Sequence, residues 1–129
     1  EKYMPDGYKD QDVKVYPNWS LEKQEKLVTQ MDIVALPVRY KESFLKGKGH
    51  TKLVDGLACG TMVVASPQYS YRIFKDFAFL GDNMLENIMH CINNKKEVLN
   101  RIEMGQEFIR NNFSKQIIAK KRIQSLQQL

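Results

Sequence analysis

The densest set of reactive side chains in this 129-residue chain is Lys46-Gly-Lys-Gly-His-Thr-Lys-Leu-Val-Asp55. Gly47 and Gly49 let backbone come close to a ligand with no Cβ in the way. A helix starting near Thr51 leaves the N–H groups around His50, Thr51 and Lys52 without intrahelical acceptors, at the positive end of the helix dipole. Lys46, Lys48 and Lys52 can neutralise a diphosphate. Asp55, one turn further, suits sugar hydroxyls rather than phosphate, because like charges repel. The candidate binding set is therefore Lys48, Gly49, His50, Thr51, Lys52 and Asp55. The same run also reads as a lysine-rich loop with Thr51 as a plain cap. It lacks the P-loop spacing, and it follows a long loop rather than the tight turn of a dinucleotide fingerprint.

Other reactive groups are sparse. Cys59 and Cys91 have no CxxC neighbour, which excludes a disulfide scaffold and a zinc site; they read as reduced thiols. His50 also reads as an exposed loop residue, and His90 as structural. No Ser–His–Asp set and no metal site can be built, so no metal or other cofactor is expected. The sequons at Asn18 and Asn112 read as turns and helix caps.

The elements that must hold the loop are legible as patterns. Val13-Lys-Val-Tyr16 alternates like a short strand. Ser20 suits a helix N-cap, with an amphipathic helix over 20–31. Residues 33–38 form a continuous apolar run, expected to be a strand buried on both faces of a parallel sheet. A long loop over 37–50 follows, then a helix over 51–59 stopped by Gly60, and a second buried strand over 61–66. A short helix over 69–74 and a short strand over 77–80 are expected next. Asp82 is expected to cap a helix with Met84, Leu85, Ile88, Met89 and Ile92 on one apolar face, the methionines serving as core filler. Asn93-Asn94 breaks that helix, another follows, and Ser114 caps the last. The fold class is α/β: a Rossmann-like parallel sheet with helices on both faces and a helical C-terminal tail. Such sheets bind ligands outside the carboxyl ends of their strands, where loop 37–50 emerges. Tyr69, Tyr71 and Arg72 follow a strand end and can line the same cleft or pack in the core.

Length fits one domain. The net charge of +5 is concentrated. Residues 38–52 hold five basic groups against Glu42, and residues 82–129 hold eight basic and five acidic groups. Such clusters attract phosphate. The apolar runs are far shorter than a membrane helix needs, and the polar start EKYMPDGYKD does not read as a cleavable leader.

DIVALPV and KLVDGLACGTMVVAS, within 32–66, resemble the donor-binding half of GT-B glycosyltransferases, especially family 4-like enzymes. The helices over 82–129, with their Asn-Phe-Ser turn, resemble the closing helices of that family. The likeness spans roughly 13–129 and implies a nucleotide-sugar site and sugar transfer with retention. Of the family's two acids with seven residues between them, the second, which holds ribose, falls on Asp55. The first falls on Gly47, with Lys46, Lys48 and Glu42 as neighbours to take its place. Backbone amides over 49–52 would hold the diphosphate. Asn18 and Trp19 fall where the family meets the base, and no catalytic residue is assigned.

The resemblance implies one partial donor domain over 1–129, the first strand–helix units and the acceptor domain being absent, and a fragment inactive alone. It would be cytoplasmic, with Lys120-Lys-Arg122 available for peripheral contact at the inner face of a membrane. No nucleic-acid partner is expected. The alternative is a non-catalytic α/β module that uses its basic loop on nucleic acid or other acidic partners. A receiver-like domain is disfavoured, because Pro37 stands where its phosphoacceptor Asp belongs.

Overall fold

A computed structural model describes residues 18–38 and 48–128. The strand expected over 13–16 and loop residues 39–47, with Glu42, Lys46 and Gly47, lie outside the described residues. The protein is α/β. Helix α1 (Leu21–Val28) leads to strand β1 (Ile33–Leu36); helix α2 (Thr51–Ala58) leads to β2 (Met62–Ala65). A 3-10 helix (Tyr69–Phe74) then precedes β3 (Phe79–Leu80). Helices α3 (Met84–Asn93), α4 (Lys95–Phe113) and α5 (Lys115–Gln127) complete the chain as a helical tail. The sheet has order β1-β2-β3 and both pairings are parallel, with Ile33 opposite Met62 and Val64 opposite Phe79.

The central strand is what the sequence predicts: every residue of β2 is fully buried. Alternation sends Val63 and Ala65 to one face, against Leu53 and Leu57 of α2 and Phe74, Ala78 and Ile109. Met62 and Val64 face the other way, against Ile88, Cys91, Val98 and Ile102 of α3 and α4. Helices therefore cover both faces of β2. Gly56 sets how close α2 lies to the sheet. A Cβ there would stand 2.7 Å from Val63 Cγ2, so only glycine fits without displacement. Gly60, at φ +80°, ends α2 in the left-handed conformation. Gln106 of α4 donates from Nε2 to the Ala58 carbonyl at 3.2 Å, satisfying one of the carbonyls at that end.

Several expectations are corrected. Strand β1 stops at Leu36 and is not buried on both faces, since Ala35 is exposed. Among the described residues β1 pairs with β2 alone, and the apolar run does not reveal how many neighbours a strand has. Helix α1 ends at Val28, where the buried Thr61 hydroxyl donates to the Val28 carbonyl at 2.8 Å. The strand expected over 77–80 is confined to Phe79–Leu80. Asn83, not Asp82, caps α3: its Oδ1 accepts the Glu86 N–H at 3.1 Å. Only part of the expected α3 face packs. Met84, Ile88 and Cys91 turn toward the sheet, while Leu85, Met89 and Ile92 are exposed. Met89 is therefore not core filler. Ser20 and Ser114 do cap α1 and α5, accepting from Lys23 N and Ile117 N. Both serines belong to the sequons read as caps.

Candidate functional site

The start of α2 opens into a cavity of about 490 Å³. Ala35, Leu36, Pro37 and Val38 form one wall, at the carboxyl end of β1. Lys48, Gly49, Thr51 and Lys52 form a second, and Gln68 and Tyr71, which follow β2, form the third. Two bonds hold the walls together: Ser66 N donates to the Leu36 carbonyl at 3.2 Å, and Val38 N donates to Ser66 Oγ at 3.0 Å.

Local structure keeps this helix start electropositive. His50 is the N-cap residue, and its carbonyl accepts from the N–H groups of Leu53 and Val54, each at 3.0 Å. Its side chain makes no capping bond, and the first turn carries no acidic residue. The N–H groups of Thr51 and Lys52 have no acceptor within the helix. Lys52 makes no side-chain hydrogen bond or ion pair among the described residues, so its ammonium adds positive charge beside them. Gly49 is exposed, and among the described residues a Cβ there would meet only Thr51 Oγ1, at 4.0 Å. Its lack of a side chain clears space toward the cavity rather than relieving a clash.

The other predicted residues are distributed differently. The His50 ring does not line the cavity. It packs with ring centroids 5.4 Å from Phe74 and 5.1 Å from Phe113, so this residue contributes its backbone to the helix start and its ring to an aromatic cluster. Asp55 lines a second, smaller cavity of about 210 Å³, with Gln24 and Val28 of α1, Val34 of β1, and Gly56. Leu36 and Lys52 border both cavities. Burial pushes the Asp55 carboxyl above the usual carboxylate range, and the nearby Glu25 charge adds to the effect. No hydrogen bond or ion pair to another described residue compensates it. Trp19 is exposed at the start of α1 and donates from Nε1 to Gln24 Oε1 at 2.8 Å, which ties it to the edge of the Asp55 cavity. The Asn18 carbonyl accepts from Lys23 Nζ at 3.2 Å.

Tyr71 lines the 490 Å³ cavity, while Tyr69 is exposed beneath the Arg72 guanidinium, 5.1 Å from its ring centroid. Gln68 is the wall residue that sequence reasoning missed. Its signal was position: a polar side chain just past the carboxyl end of a fully apolar strand. Among the described residues no group of three or more His, Cys, Asp or Glu is placed to hold a metal ion. No family model, no curated protein and no solved structure matches the chain. No helix among the described residues is long and apolar enough to cross a membrane.

Proposed function

We propose that this chain is the donor-binding part of a retaining glycosyltransferase, a partial Rossmann-like domain that holds a nucleotide-sugar by its diphosphate. The observation that carries the reading is the uncapped, acid-free start of α2 opening into a cavity at the carboxyl ends of parallel strands, flanked by Lys48 and Lys52. Backbone N–H groups and a helix dipole directed into a hollow favour a multiply charged anion. Asp55 supports the second half of the reading. Its half-buried carboxylate lacks a described partner and gains hydrogen bonds if pentose hydroxyls reach it. The acceptor would be bound by a separate domain, so the fragment alone is inactive. Rate enhancement in the whole enzyme would come from positioning and from stabilising the departing diphosphate. The exposed Lys120, Lys121 and Arg122 on α5 offer peripheral contact with an anionic membrane surface.

Titration with UDP-, GDP- and ADP-sugars, followed by amide chemical shifts, tests the reading. Shifts concentrated in residues 49–55 are expected with one of the three. If none of them moves those amides, the reading fails.

A further inference from the structure

An anion explains only one wall of the 490 Å³ cavity. On the opposite wall Gln68 is 4% exposed, and its Oε1 is buried with no hydrogen-bond partner among the described residues. A buried acceptor left unpaired is costly, and few native ones stay so. Tyr71, itself 4% exposed, lines the same wall beside it. Oε1 is the end of the Gln68 amide left without a donor among the described residues. Phosphate oxygens cannot satisfy it, because a fully ionised phosphate carries acceptors only. The cavity therefore has donors and positive charge along α2 and, set into the wall across from them, an unpaired acceptor.

We infer that Gln68 is a specificity-determining residue that accepts a hydrogen bond from a hydroxyl of the ligand whose phosphate sits at the start of α2. The chemical class selected is a phosphate ester of a polyol, as opposed to bare phosphate or pyrophosphate. This rests on the anion-binding reading of α2 and adds what that reading lacks, a means of telling the esterified anion from the free one. The hydroxyl can belong to a pentose or to a transferred hexose; the chemistry at Oε1 is the same.

The test uses the full chain and pyrophosphate, UDP, GDP, ADP and their glucose conjugates as probes. In the unaltered protein at least one ester should bind more tightly than pyrophosphate, and the Gln68 side-chain amide signal should shift with that ester and stay still with pyrophosphate. Gln68→Met keeps the shape and removes the acceptor. It should weaken the favoured ester about tenfold while pyrophosphate affinity stays within about twofold. A loss already present with the nucleoside diphosphate assigns the hydroxyl to the pentose; a loss appearing only with the glucose conjugate assigns it to the hexose. Equal binding of pyrophosphate and every ester, or an equal effect of Gln68→Met on all probes, overturns the inference and leaves the anion seat standing. If pyrophosphate and all esters leave the amides of 49–52 unmoved, both fall together.

Discussion

Helices α2 and α3 occupy equivalent places, each following the carboxyl end of a parallel strand, yet their first turns are built in opposite ways. At α3 the chain supplies its own acceptors. Asn83 Oδ1 takes the Glu86 N–H, and Asn83 Nδ2 donates back to Glu86 Oε2 at 2.9 Å. At α2 the cap residue turns its ring into an aromatic cluster and no carboxylate follows. A self-capped helix start is spent on stability; one whose acceptors are withheld is left for something from outside. The difference lies in a few side chains rather than in topology.

The contrast can be broken most severely at Gly56, because the orientation of α2 depends on its close approach to Val63. Gly56→Ala should lower stability by about 1–2 kcal/mol in urea denaturation. The clash costs about 1–3 kcal/mol, and better helix propensity offsets up to about 1 kcal/mol. Pyrophosphate binding should weaken with it as the helix start is displaced.

The two starts can next be exchanged in character. Asn83→Ala should cost about 1 kcal/mol of stability and leave pyrophosphate binding unchanged. Thr51→Glu should do the reverse. A dipole gain of about 0.3–1 kcal/mol is partly cancelled by repulsion from Asp55 one turn on, so stability stays nearly level while pyrophosphate binding is lost. Calorimetric titration beside thermal melts reads both. If Thr51→Glu binds pyrophosphate normally, the difference between the helices carries no functional meaning.

The smallest effect concerns Asp55. Its folded carboxyl titrates above the unfolded one, mainly through burial. Below both values it is neutral in either state. As pH rises, the unfolded chain ionises first and stability falls, until the folded carboxyl has also ionised. Asp55→Asn should therefore raise the melting temperature at pH 7, with the gain vanishing toward pH 3. A variant that melts lower at neutral pH would mean that the carboxylate has a compensating partner.

Much of this arrangement is legible in the sequence. The run ending in Gly60 and the apolar stretch after it give α2 and β2 directly, because a left-handed stop and a two-sided burial leave strong marks. The separation of Asp55 from the cavity at the start of α2 was not readable. Thr51 and Asp55 share a helix face, but four residues of rise put Asp55 about 6 Å further along the axis, where Gln24 and Val28 of α1 close over it. Which cavity a helix face enters depends on its neighbours, and periodicity carries no record of them. The choice between Asp82 and Asn83 was equally hidden, since both side chains can cap and a one-residue difference in backbone path decides.

Trp19, the chain's single tryptophan, is bonded through its indole to Gln24 on the rim of the Asp55 cavity. The ring is already 72% exposed, so a guest that competes for the Gln24 amide changes the freedom of the indole rather than its contact with water. Fluorescence anisotropy of this one residue should then follow occupancy at that rim without a label.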